Sequence, residues 1–129
     1  MTPPVIERWH AFIDGGHSPE LLDDLLDDDA VFHSPAIFSP QEGKAKTAMY
    51  LGAAAKLFGG TDFRYEGEWY GERSAVLEFA ATVDGMYVNG IDMITWNDAE
   101  RIVSFKVMLR PFKGLQHVMG RMADLLTPS

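Results

Sequence analysis

Two apolar runs in the second half of the chain, Met86 to Trp96 and Ile102 to Phe112, constrain the fold more than any other feature. Both runs are rich in β-branched and aromatic residues, alternate with a period of two, and flank the turn-forming residues 97–100. This pattern predicts a β-hairpin at the centre of a sheet. Alternation places Asp92 on the apolar face of the first strand, the face that also carries Ile94. A buried carboxylate is costly unless it is paired, so Asp92 is the residue that most needs an explanation.

The rest of the chain predicts helices and further strands around this hairpin. Prolines that open helices, glycine pairs that end them and the spacing of apolar residues mark the boundaries. Helices are predicted over 4–14, 19–26 with Ser18 as its cap, 44–58 and 114–126. Strands are predicted over 30–34, 62–70 and 73–83, and a loop over 36–42. This order predicts an α+β fold, with helices on one face of an antiparallel sheet, in one domain over residues 1–129.

Composition excludes several classes of partner. The net charge of -8 argues against nucleic acid, which needs a basic surface. No apolar run is long enough to cross a membrane, the N-terminal sequence lacks the features of a signal peptide, and there is no cysteine, so a cytoplasmic location is expected. The acids between 20 and 29 lack the glycine and glutamate of a calcium loop and predict a solvated helix face. The four histidines are scattered, so neither a metal nor another cofactor is expected.

Three stretches resemble the nuclear transport factor 2-like superfamily and, more narrowly, a SnoaL-like protein. They are Asp-Asp-Ala-Val-Phe-His-Ser-Pro at 28–35, Val-Asn-Gly-Ile-Asp-Met-Ile-Thr-Trp-Asn-Asp at 88–98 and Phe-Lys-Val-Met-Leu-Arg-Pro at 105–111, with Gly43 opening the third helix. The resemblance implies a cystatin-like, cone-shaped α+β barrel, in which a curved antiparallel sheet packs on three N-terminal helices and a C-terminal helix around a pocket. The superfamily contains isomerases, epoxide hydrolases, cyclases, dehydratases, binding proteins and transport factors, so the fold does not decide the activity.

The steroid isomerase branch gives the most informative comparison. The resemblance places the tyrosine donor of that enzyme at Trp9, its general-base aspartate at Ser34 and its second aspartate at Asp92. The second aspartate is known in that enzyme as a neutral carboxylic acid that donates a hydrogen bond to an oxyanion. The epoxide hydrolase branch has an arginine between two aspartates, whereas Gly90 and Ile94 flank Asp92 here.

Asp92 is therefore the candidate catalytic residue, as an acid or a hydrogen-bond donor whose pKa is raised by desolvation. The alternative is a structural carboxylate that is bonded to Trp9 or to a backbone amide. His33 is a candidate for the missing base, but strand alternation sends it to the opposite face from Ser34 and favours a surface or interface position.

The inner face of the sheet and the helical stripes are predicted to converge on an apolar pocket for a small molecule. The predicted ligand-binding residues are Trp9, Phe12, Phe32, Ser34, Tyr50, Tyr65, Ile94, Val107, Leu109 and Met119. Two kinds of function remain open. The first is an isomerase, cyclase or hydrolase that uses Asp92 as acid or oxyanion partner, and the second is a non-catalytic binder of an apolar molecule. A dimerisation module with a vestigial pocket is a third possibility.

The outer face of the sheet is predicted to form a homodimer. Its apolar side chains would otherwise form one exposed patch, which soluble monomers rarely show. The predicted patch consists of Val76, Ala80, Tyr87, Ile91, Met93 and Met108.

Overall fold

A six-stranded sheet with helices on its inner face makes up the fold in a computed structural model, which describes residues 1–127. The helices are α1 (Pro4–Asp14), α2 (Pro19–Leu25), α3 (Lys44–Phe58) and α4 (Phe112–Leu126). The strands are β1 (Leu26–His33), β2 (Gln41–Glu42), β3 (Arg64–Tyr70), β4 (Ser74–Val83), β5 (Met86–Trp96) and β6 (Ile102–Arg110). No helix within residues 1–127 combines the length and the apolar character that a membrane span requires.

The predicted hairpin is confirmed and lies inside the sheet, where β5 pairs with β4 on one side and β6 on the other. Every second residue of β5 from Val88 to Trp96 is buried, and the residues between them are at least partly exposed. Asp92 lies on the buried face, opposite Leu77 of β4 and Val107 of β6. The carboxyl group is therefore held at the middle of the sheet by strands on both sides.

The predicted α+β fold is confirmed, and its sheet differs from the expected antiparallel barrel in two respects. The strand order is β2-β1-β6-β5-β4-β3, and β1 runs parallel to β6, so the sheet is mixed. A parallel pair needs a long connection, and here α3 and the meander β3–β5 supply it. The two ends of the sheet, β2 and β3, do not pair with each other, so the sheet stays open.

The structure also corrects the prediction for residues 26–29. They form the start of β1, whereas the sequence predicted the end of a helix and its solvated face. The backbone of Leu26 is extended, and its N–H bonds to the carbonyl of Leu22 to end α2. Leu26 is fully buried in the strand. Its position in the sequence fits the spacing of buried residues in a helix, although its backbone is that of a strand. Residues 41 and 42, predicted as loop, pair with β1 as the short strand β2, and α4 begins at Phe112 instead of residue 114.

The outer face of the sheet carries part of the predicted apolar patch. Tyr87 and Met108 are about half exposed, and Val76, Ile91 and Met93 are partly exposed. Ala80 was wrongly included, because it is fully buried between Arg64 of β3 and Asn89 of β5.

Candidate functional site

A cavity of about 340 Å³ lies between the helices and the inner face of the sheet. This volume is at the small end of the range for ligand sites in proteins. Its walls come from α1, α3, α4 and strands β1 and β3 to β6, and its lining residues are Trp9, Ile13, Asp14, His17, Phe32, Pro35, Leu51, Ala54, Ala55, Phe58, Gly59, Gly60, Thr61, Phe63, Tyr65, Phe79, Asp92, Phe105, Val107, Leu109, Val118, Met119 and Met122. Within residues 1–127 this lining contains no lysine or arginine.

Aromatic rings form one wall of the cavity. The ring centroids of Phe58, Phe63 and Phe79 lie 5.1 to 5.8 Å from one another. Strand β5 packs closely against these rings because residue 90 is glycine. A Cβ atom at Gly90 would lie 2.7 Å from the Phe79 ring and 2.9 Å from Leu109, so any side chain there would push the wall inward.

Asp92 is the buried polar group of this cavity, with 6% of its surface exposed. The hydroxyl of Tyr65, on β3, donates to Oδ2 of Asp92 at 2.6 Å. The indole Nε1–H of Trp9, on α1, donates in turn to the Tyr65 oxygen at 2.8 Å. A helix and two strands therefore position a three-residue chain of hydrogen bonds that ends at the carboxyl group.

Both hydrogen bonds of this chain point toward Asp92. The indole N–H of Trp9 can only donate, so the Tyr65 oxygen accepts from it, and the Tyr65 hydroxyl donates its own proton to Oδ2 of Asp92. Oδ2 of Asp92 is therefore an acceptor, and a proton on the neutral carboxyl group resides on Oδ1. Oδ1 has no hydrogen-bond partner within the described residues, and none of their buried side-chain nitrogen or oxygen atoms lacks a partner. It follows that Oδ1 is accessible from the cavity.

Burial raises the pKa of Asp92 from its usual 3.8 to about 7, and the hydrogen bond from Tyr65 opposes this rise. The cause is desolvation of the charged form in an apolar cavity. Burial, together with the adjacent Asp92, also raises the pKa of Tyr65 well above its usual 10, so the phenol stays protonated and remains a donor. The carboxyl group is therefore largely neutral below pH 7 and offers its own proton to the cavity.

The structure brings seven of the eleven predicted site residues together at the cavity. Trp9 and Tyr65 belong to the hydrogen-bonded chain with Asp92, and the remaining cavity-lining members are Phe32, Val107, Leu109 and Met119. Tyr50 belongs to the surroundings of this group, because its ring stacks on Phe32 with centroids 5.0 Å apart instead of reaching the cavity.

The other three predicted residues lie elsewhere. Phe12 faces a second groove between the helices, and Ile94 is buried in the core opposite Ala75 of β4. Ser34 lies beyond the end of β1, and its hydroxyl accepts from the backbone N–H of Ala36 at 3.2 Å. The side chain at the position of the isomerase base is thus engaged in a turn and does not line the cavity.

Sequence reasoning missed the polar residues at the open end of the cavity, where the lining residues Asp14, Gly59 and Gly60 are exposed. Asp14 ends α1, and His17 follows it in the connection to α2. The only signal was the Gly15-Gly16 pair, which predicts the end of a helix but not the direction of the next side chain.

Outside the cavity, Asp84 in the β4–β5 turn bonds to His117 and Arg121 and so connects α4 to the sheet.

The described residues contain no cluster of three histidine, aspartate or glutamate side chains that is arranged to hold a metal ion. The polar side chains that line the cavity, among them Asp14, His17, Tyr65 and Asp92, can donate or accept hydrogen bonds.

Residues 6–105 match the SnoaL-like domain, so the chain belongs to the SnoaL-like family. A crystal structure of a steroid delta-isomerase from Pseudomonas aeruginosa is 38% identical, with 95% of this chain and 88% of that one covered and a TM-score of 0.88. An uncharacterized bacterial protein with a cystatin-like fold from Silicibacter pomeroyi is 28% identical over 94% of this chain and 84% of that one, with a TM-score of 0.85. No curated protein sequence is significantly similar to this chain.

A third structure extends the likeness in fold alone. An NTF2-like protein of unknown function from Mesorhizobium loti is 21% identical over 83% of this chain and 91% of that one, with a TM-score of 0.71. The expected SnoaL-like family and NTF2-like fold are thereby confirmed.

Proposed function

We propose that this protein binds a compact, mostly apolar small molecule through a carbonyl oxygen, and that Asp92 donates a hydrogen bond to that oxygen. The observation that carries the proposal is the chain from Trp9 through Tyr65 to Asp92. Each donor in such a chain polarises the next, so all three side chains act in the direction of the ligand. An apolar cavity increases the strength of this hydrogen bond, because little water competes for it.

The reaction that this arrangement supports best is proton transfer next to the carbonyl group. When a hydroxide ion or a buffer base from the solvent takes the proton from a C–H bond beside a carbonyl, the electron pair of that bond moves to the oxygen and an enolate forms. A neutral acid that is fixed beside this oxygen stabilises the developing charge, which is usually the largest contribution to catalysis of this kind. Return of the proton to a different carbon completes an isomerisation, and no other reactant is consumed. The 38% identity to a steroid delta-isomerase supports this choice over a cyclase or a hydrolase.

A specific observation favours a second function, a non-catalytic binder. Ser34 replaces the carboxylate that the isomerase resemblance leads one to expect, and it is occupied by a backbone amide. A site with a donor and no base would hold a carbonyl compound without converting it.

Exchange of the α-hydrogens of 2-tetralone with deuterium oxide, followed by proton NMR, separates these functions. This bicyclic ketone is small enough for the cavity, and its benzylic α-hydrogens leave readily once the oxygen is stabilised. We expect exchange well above the buffer rate with the parent protein and its loss in Asp92→Leu. Saturable binding without faster exchange would favour the binder, whereas absence of binding, or binding unaffected by Asp92→Leu, would contradict the proposal. A Δ5-3-ketosteroid should be assayed beside it, because it tests the activity named for the Pseudomonas relative.

We also propose that the outer face of the sheet joins two copies of the chain. Tyr87 and Met108 are the most exposed apolar side chains of the predicted patch, and Met93 lies on β5, the strand that also carries Tyr87, directly opposite Val76 of β4. The helices cover the opposite face of the sheet, so a second copy is the simplest cover for this one.

A further inference from the structure

We propose that the ligand has polar groups at both ends, and that His17 binds the second one at the open end of the cavity. This inference rests on the proposed function, which places a carbonyl oxygen at Asp92. It adds a specificity-determining residue that the family resemblance does not supply.

The polar groups of the cavity occupy two separate places. Asp92 and Tyr65 form the inner one, whereas Asp14, His17 and Thr61 line the cavity near the ends of α1 and α3. The helix α1 gives the scale, because Trp9 is bonded into the inner group and Asp14 ends the same helix. Five residues at 1.5 Å each separate them along the axis by roughly 8 Å. The lining between the two places is apolar, as a bicyclic body would require.

The backbone holds the imidazole of His17 in place. Gly16 has a φ of 93° and His17 a φ of 64°, and the His17 N–H bonds to the carbonyl of Phe12 at 3.2 Å. This is the hydrogen bond of a Schellman motif, which brings the side chain after the glycine against the last turn of the helix. The rings of His17 and Phe12 accordingly lie 5.8 Å apart.

Gly59, at the end of α3, makes room for the same ring from the other side. A Cβ atom on Gly59 would lie 3.0 Å from Cε1 of His17. The imidazole is therefore fixed between α1 and α3, and a ligand would meet it without first having to order it.

The ring nitrogens of His17 are available to a ligand. His10 and His117 are bonded to Glu68 and Asp84 at 2.7 and 2.8 Å, but His17 has no side-chain partner within the described part of the chain. Thr61 is already engaged, since its hydroxyl donates to the carbonyl of Phe58 at 2.6 Å and accepts from the N–H of Phe63 at 3.2 Å.

The charges around His17 define the second polar group as neutral. Asp14 shares the open end of the cavity, and Lys56 lies with His17 on the separate groove between the helices. A carboxylate on the ligand would lie beside Asp14, and no lysine or arginine is among the described residues that line the cavity, so a hydroxyl or carbonyl group is the matching chemistry.

The test compares the affinities of 2-tetralone and 6-hydroxy-2-tetralone, which carries a hydroxyl at the end opposite its carbonyl. One added hydrogen bond should make the hydroxylated ketone bind the parent about three- to tenfold more tightly. In His17→Phe, which keeps an aromatic ring but no nitrogen, the ratio of the two affinities should fall to near one. His17→Gly suits the positive φ and should give the same ratio if the phenylalanine variant folds poorly.

His33→Phe is the matched control, since His33 is also half-buried but lies outside the cavity. It should keep the ratio of the parent. A ratio near one in the parent, or an unchanged ratio in both His17 variants, would overturn the inference while leaving Asp92-dependent binding of 2-tetralone intact. Failure of 2-tetralone to bind at all would instead overturn the proposed function, and this inference with it.

Discussion

Replacing Asp92 by asparagine should change how the stability of the protein depends on pH. The amide carbonyl can still accept the hydrogen bond from Tyr65, but the side chain no longer titrates. Because folding raises the pKa of Asp92 from 3.8 to about 7, the folded state binds this proton more tightly than the unfolded state. The contribution of this bound proton to the stability of the folded state is fully present below pH 3.8, declines as the pH rises, and is lost above about pH 7.

The size of this effect follows from the two pKa values. At 1.36 kcal/mol per unit of pH, the interval from 3.8 to about 7 corresponds to about 4 kcal/mol. Urea unfolding, followed by the fluorescence of the three tryptophans, gives the free energy of unfolding of both proteins at several pH values. The stability of the parent minus that of Asp92→Asn should therefore decrease by up to about 4 kcal/mol between pH 4 and pH 8.

Asp62→Asn provides a control of opposite sign. The N–H of Thr82 donates to Asp62 at 2.6 Å and lowers the pKa of this exposed carboxyl group. The contribution of Asp62 to stability is present above its pKa in the unfolded state and is lost as the pH falls. The free energy of unfolding of the parent minus that of Asp62→Asn should therefore increase as the pH rises. If the difference between the parent and Asp92→Asn does not vary with pH, the reasoning about desolvation of Asp92 is wrong.

Three further substitutions test other parts of the account. Tyr65→Phe removes the hydrogen bond that lowers the pKa of Asp92, so a carboxyl NMR titration should show a higher midpoint than in the parent, with a loss of about 1–3 kcal/mol in stability. Gly90→Ala should destabilise the protein by about 1–3 kcal/mol in thermal or urea unfolding and weaken ketone binding, because the new methyl group meets Phe79 and the β6 backbone. Met93→Asp should convert the proposed homodimer to monomers in analytical ultracentrifugation, and a parent that is already monomeric at micromolar concentration would refute that interface.

The sequence correctly predicted those parts of the fold in which the spacing of apolar residues fits only one kind of secondary structure. The alternation of β5 placed Asp92 on the buried face, and the structure agrees. The same reasoning failed at Leu26, because a leucine at helical spacing is buried equally well by a strand that begins at that point. The parallel pairing of β1 with β6 could not be predicted either, since the alternation of residues within a strand does not specify which distant strand becomes its neighbour.

The candidate site was predictable only where one strand or helix decides the position of a side chain. Tyr65 and Trp9 were placed at the pocket, but their hydrogen bonds to each other and to Asp92 join three elements that are far apart in the sequence. His17 depends on a positive φ and on its contact with α3, neither of which has a periodic signal.

The carbonyl stretching frequency of bound 2-tetralone, labelled with carbon-13 at the carbonyl and observed by infrared difference spectroscopy, tests the central claim most directly. A hydrogen bond from neutral Asp92 lowers this frequency by drawing electron density to the oxygen. Below pH 7 the parent should show a lower frequency than Asp92→Leu, and the difference should disappear as the carboxyl group ionises above its pKa of about 7. Equal frequencies in the two proteins below pH 7 would contradict the claim that Asp92 donates to the ligand.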